Sequence, residues 1–251
     1  MSTLPARIPL LSWRAFDALL RGVVPTSDRV RLLMSWIAWQ SICATVFGIS
    51  LGVYSLTARD VPDVRFMIGA GIKMPLLLFF TSAVTCPSLY VFGALRGLPF
   101  SAREFAAMLM VAHTILAAVL GSLAPVVAFF ALTTTSYSFM VLLTVAACAL
   151  AGIMGIRVFV KAINEPGINA EPSDADDAKP EGFISRPRNV SKTIWQLLGW
   201  WVVLYIFVGA QMGWMLRPFI GSPDLEFSMI RSRGGSLVEG VIFHIQRILG
   251  G

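Results

Sequence analysis

Charged residues fall in clusters along this chain, and long apolar blocks lie between the clusters. No charge occurs between Arg31 and Arg59, and the block LLMSWIAWQSICATVFGISLGVYSL, residues 32–56, exceeds the roughly 20 residues a helix needs to cross hydrocarbon. It predicts a first span. A second is predicted between Lys73 and Arg96 (MPLLLFFTSAVTCPSLYVFGAL), where Pro87 removes a backbone hydrogen bond and marks a helix kink. From Phe105 to Ile156 the chain carries no formal charge, a length too great for one helix, and the polar hexamer TTTSYS at 133–138 divides it into a hairpin of two spans. The third span holds His113 and a second candidate kink, Pro125. The fourth holds the small residues Ala146, Ala147, Ala149, Ala151, Gly152 and Gly155, which permit close helix approach in lipid and place this helix at the centre of the bundle.

Residues 162–192 hold four prolines and a cluster of acids with few large apolar groups, which predicts a flexible loop. Residues 193–216 form a fifth span, with Trp195, Trp200, Trp201 and Trp214 assigned to the aromatic belts at the two interfaces. Amphipathic patterns flank the spans. Trp13, Phe16, Leu19, Leu20, Val23 and Val24 share one arc near the start, and between Leu237 and Leu249 seven aliphatic residues oppose Glu239, His244, Gln246 and Arg247. Both read as helices lying on a membrane surface.

The chain is therefore read as an all-α, polytopic helical membrane protein of about five transmembrane helices. Its organisation is a cytoplasmic segment 1–31 with an amphipathic helix, a four-span membrane domain 32–161, a cytoplasmic loop 162–192, the span 193–216, and an exported tail 217–251 with an amphipathic helix. Composition agrees: 56% of residues are hydrophobic and 14% charged, against about 25% charged in soluble domains. Charge sets the orientation. With the first segment inside, 13 of the 20 Lys and Arg residues fall on the cytoplasmic side, the bias expected of an energised membrane. The net charge of +6 is that bias and no sign of nucleic-acid binding.

Candidate chemistry is sparse. Cys43, Cys86 and Cys148 sit in apolar runs without CxxC spacing, so neither disulfides nor a metal site are expected. No Asp or Glu lies inside a span, and HExxH, GxSxG and P-loop signatures are absent, so no catalytic set, cofactor or metal is assigned and the chain is read as a non-enzyme. Four polar residues remain as functional candidates. Lys73 is placed at the edge of the second span, where it can snorkel to the headgroups. His113 lies about nine residues into the third span, able to relay protons or to bond a neighbouring helix. Gln211 and Arg217 stand near the exit of the fifth span, where Arg217 complements the helix dipole and Pro218 ends the helix.

The segments KMPLLLFFTSAVTCPSLYVFGALRGLPFSAREF (73–105), LGSLAPVVAFF (120–130) and VGAQMGWMLRPFIGSPD (208–224) together resemble a group of uncharacterised bacterial multi-span proteins. The layout also resembles the Yip family of small membrane proteins, with five spans, a cytosolic N-terminus and an exported C-terminus. That resemblance implies a fold and a location in the bacterial inner membrane, and it carries over no functional residue. The expected role is a non-enzymatic scaffold whose partners are the lipid bilayer and a protein held through loop 162–192 or the tail, with room for a homo-oligomer. The alternatives are a small-solute or lipid transporter and, after that, an intramembrane enzyme.

Overall fold

A computed structural model describes residues 29–58, 62–95, 102–164, 192–216, 220 and 237–249. The amphipathic pattern at 13–24, Arg217 and most of the loop 162–192 lie outside the described residues. Among the described residues all regular structure is helical: α1 (Arg29–Gly52), α2 (Tyr54–Thr57), α3 (Val64–Leu95), α4 (Ala102–Thr133), α5 (Tyr137–Asn164), α6 (Lys192–Met215) and α7 (Leu237–Leu249). Among the described residues four stretches are long and apolar enough to cross a membrane: Leu33–Thr57, Val64–Leu95, Leu109–Thr133 and Tyr137–Phe159. α6 has 24 residues, and its described apolar part is Gly199–Gly213.

Contacts between helices fix their directions. Gly121 of α4 faces Cys43 of α1, and the Thr57 hydroxyl donates to the Ala131 carbonyl at 2.9 Å, so α1 and α4 run parallel. Gly48 and Gly52 of α1 face Ala70 and Met67 of α3, so those two run antiparallel. Gly155 of α5 meets Ala112 and Leu116 of α4, and along α6 the positions 201, 209 and 213 meet Thr85, Thr81 and Leu77 of α3. Thus α1, α4 and α6 point one way and α3 and α5 the other. α7 packs on α5 and α6 and leaves Ile242, Phe243 and Ile245 exposed together with Glu239 and Gln246.

The α4–α5 hairpin forms where the hexamer predicts it. Helix stops at Thr133 and restarts at Tyr137, and the Ser136 hydroxyl accepts the Phe139 amide at 3.3 Å, an N-cap at the third helical position. Tyr54 closes the same end by donating to the Thr135 carbonyl at 2.8 Å.

Three expectations are corrected. α3 begins at Val64, nine residues before Lys73, because Asp63 caps it: its carboxylate accepts the Arg65 amide and pairs with the Arg65 guanidinium, both at 3.0 Å. Lys73 is therefore inside a 32-residue helix and only 3% exposed, in place of the snorkelling edge position. The fourth span is not central. Only 22% of it is buried, since Ala147, Ala151 and Gly155 form a single stripe toward α4 while Ala146 and Ala149 face outward. α4 is the hub, touching α1, α2, α3 and α5. Lastly, Trp201 is 3% exposed and packed inside the bundle, whereas its neighbour Trp200 is 76% exposed. The helix continues through Pro87 and Pro125, both on exposed faces.

The α1–α3 crossing depends on two missing side chains. A Cβ at Gly48 would collide with the Ala70 carbonyl, and one at Gly52 with the Met67 Cα. Neither obstacle is a flexible side-chain tip, so the helices must separate to make room. Gly48→Ala is expected to destabilise the bundle by roughly 1–3 kcal/mol. Gly199→Ala, where nothing lies within 4 Å of the new atom, should stay within about 0.5 kcal/mol. Reversible unfolding in mixed micelles measures both.

Candidate functional site: a buried hydrogen-bond cluster on three helices

His113 sits on α4 with 1% of its surface exposed. Its Nδ1 lies 2.8 Å from the Leu109 carbonyl one turn back. A carbonyl only accepts, so Nδ1 carries the hydrogen and Nε2 of the neutral ring is left as an acceptor. Two hydroxyls reach that nitrogen: Tyr205 Oη of α6 at 2.7 Å and Ser82 Oγ of α3 at 2.9 Å. Nε2 has one lone pair. The shorter contact gives it to Tyr205, while Ser82 also reaches the Leu78 carbonyl and can donate there at 3.0 Å. The cluster ties α3, α4 and α6 together through one ring nitrogen.

Aromatic stacking extends the cluster along α6. Tyr205 packs edge-on against His113, with centroids 5.5 Å apart, and Trp201 one turn back packs on Tyr205 at 5.5 Å and on Phe159 of α5 at 5.3 Å. The Trp201 indole donates to the Thr85 carbonyl at 3.3 Å, a second tie from α6 to α3. Positions 201 and 205 share one helix face because they are four residues apart.

Beside His113 a shallow, half-open cleft lies between α5 and α6, with α4 as its floor. Leu109, Ala112 and Leu116 line the floor, Gly152 and Phe159 one wall, and Trp201 and Tyr205 the other. The two walls approach differently. At Gly155 a Cβ would come within 3.1 Å of the Ala112 carbonyl, so α5 rides close on α4 there, while at Gly152 nothing lies within 4 Å.

A second polar feature stands on α1. Gln40 is fully buried, and neither carboxamide atom has a hydrogen-bond partner among the described residues; the buried hydroxyl of Ser35 is in the same condition. Carrying the Cys43–Gly121 register two turns along α1 brings Ser35 level with His113. Carrying the Gly48–Ala70 crossing along the same helix brings Trp36 level with Ser82. Polar side chains of four helices therefore share one depth.

Of the candidates drawn from sequence, His113 alone enters this cluster. Lys73 lies nine residues from Ser82 on α3, about 14 Å along the axis, on the buried face. Gln211 is half-buried on α6 between Gly209, which faces Thr81, and Gly213, which faces Leu77. The contacts of α6 along α3 therefore stop one turn short of Lys73. Tyr205 and Trp201 were not legible as site residues in the sequence, and their spacing of four is the one signal that could have paired them. Among the described residues no three His, Cys, Asp or Glu side chains lie together as metal ligands would.

The shared lone pair makes the two hydroxyls redundant. In Ser82→Ala, Nε2 keeps Tyr205, and in Tyr205→Phe the Ser82 hydroxyl turns from Leu78 to Nε2, so each single change should cost under about 1 kcal/mol beyond lost packing. The double variant strands a buried acceptor and should cost about 1–3 kcal/mol more than the sum. A double-mutant cycle on unfolding reads the excess, and strict additivity would remove the shared acceptor from the account. No known protein family, no curated protein and no solved structure matches this chain.

Proposed function

We propose that this chain is a non-enzymatic integral membrane component that crosses the bilayer five times and serves as a scaffold for a protein partner. One observation carries the reading: outside Ser35 and Gln40 of α1, the polar side chains described inside the spans are closed on the protein itself. The hydroxyls of Ser41, Thr81, Thr85, Thr114 and Thr144 donate to carbonyls one turn back on their own helices, and His113 is engaged at both nitrogens. A solute pathway needs such groups turned toward a pore. Here the hydroxyls turn back onto their own helices, and His113 joins α4 to α3 and α6.

The alternating helix directions support the same topology as the charge bias. The end of α5 and the start of α6 fall at the same end of the bundle as the start of α1, which supports a cytoplasmic loop 162–192 and an exported tail. The resemblance to bacterial multi-span proteins and to the Yip layout supports an inner-membrane location. The loop and the tail are the parts available to a partner.

Gln40 favours transport as the second reading, because a buried carboxamide without a protein partner is a group that a passing solute would bind. Two measurements on the full chain decide between them. Proteoliposomes should show no ion or small-solute flux above empty vesicles, and a photo-crosslinker at position 180 in intact cells should give one saturable protein adduct. A flux abolished by Gln40→Leu selects transport and overturns the scaffold.

A further inference from the structure

We propose that the cleft between α5 and α6 holds one acyl chain of a membrane phospholipid, seated on the hub helix α4. The inference rests on the membrane-spanning reading. It goes beyond that reading by naming an occupied site between helices in place of a general lipid-facing surface.

The lining decides the chemistry of the occupant. His113 and Tyr205 border the cleft, yet their polar atoms are engaged with each other, with Ser82 and with the Leu109 carbonyl, so what they offer the cleft is ring carbon. Leu109, Leu116, Ile156 and Phe159 add only hydrocarbon. A ligand with a polar head would lose its hydrogen bonds on entry and gain none. A methylene chain loses nothing.

Shape and continuity decide the source. Gly152 leaves the mouth open on the α5 side, and Gly155 narrows the floor by bringing α5 against α4, so the space is a slot and not a bowl. Both rims continue into lipid-facing surface. Ile153 of α5 and Leu204 of α6, 50% and 37% exposed, stand beside the lining faces of their helices at the slot's outer side. Hydrocarbon is the medium at the mouth. A chain drawn from it gains van der Waals contact with three helices where an unfilled slot would leave those walls without partner atoms. Contact with α4 also distinguishes it from lipid around the outside of the bundle, because the slot opens onto Leu109, Ala112 and Leu116 of α4.

The test uses the full chain reconstituted in phosphatidylcholine vesicles that contain a phosphatidylcholine with a diazirine in mid-chain. After irradiation, adducts are mapped by mass spectrometry. Wild type should label at Leu116 and Phe159 inside the slot as well as at the outward residues Phe129 and Phe207. Gly152→Phe, which fills the mouth, should lower the slot adducts about tenfold, the factor that roughly two methylenes of lost burial correspond to, while Phe129 and Phe207 label as before. Gly199→Phe, an equal enlargement at an open position outside the slot, should leave the slot adducts unchanged. Slot adducts that persist in Gly152→Phe, or wild type that labels only at Phe129 and Phe207, overturn the site and leave the membrane reading standing. Wild type that labels nowhere overturns both.

Discussion

Inside hydrocarbon a polar group has no water to turn to, and the arrangement of this bundle follows from how each such group is satisfied. The backbone solves the problem by being helical throughout the spans. Short hydroxyl side chains solve it locally, on the carbonyl one turn back. His113 Nε2, the Tyr205 hydroxyl and the Trp201 indole point away from their own helix axes and must find partners on another. Without a hydrophobic driving force to separate helix from lipid, those bonds and close packing are what give α6 a fixed place. The geometry of one imidazole thus sets the position of a whole helix.

Packing follows a different rule at the other end of the bundle. There α1 and α3 cross backbone to backbone at Gly48 and Gly52, and the absence of two side chains does what hydrogen bonds do around His113. Tyr54, Ser55 and Thr57 then lace α1 and α2 to the start of α3 and to the α4–α5 hairpin through backbone carbonyls. Close approach and carbonyl capture reinforce each other, because a helix can offer its carbonyls only to a neighbour near enough to reach them.

Much of the fold was legible because its signals are local. The hexamer TTTSYS marks the hairpin since a serine cap and a break in apolar periodicity need no knowledge of the rest of the chain, and the amphipathic pattern gives α7 its bounds. Errors arose where a local signal had two readings. Lys73 was taken as a boundary because it is charged, while the true boundary was Asp63, whose carboxylate caps α3. Small residues on α5 were read as a sign of centrality, but only the stripe at every fourth position meets a neighbour, and composition does not reveal which stripe that is. The site was legible only in part for the same reason. His113 is conspicuous as a lone ionisable residue in a span, yet its partners lie 31 and 92 residues away, and the register that unites them is a property of three packed helices.

These two modes of association divide the bundle along its length. The glycine crossing and the carbonyl lacing bind α1, α2, α3 and the α4–α5 hairpin near the start of α3, a region that α6 does not reach, since its last described approach is to Leu77. α6 is held instead at the opposite end, by Tyr205 and Trp201 at the level where Ser35, Trp36, Ser82 and His113 gather. Its side-chain hydrogen bonds to neighbouring helices come from two residues on one face, one turn apart. The slot between α5 and α6 is a consequence of that arrangement: α6 is fixed by α3 and α4, α5 is fixed by α4, and the two meet across the Phe159–Trp201 stack with the floor of α4 beside it.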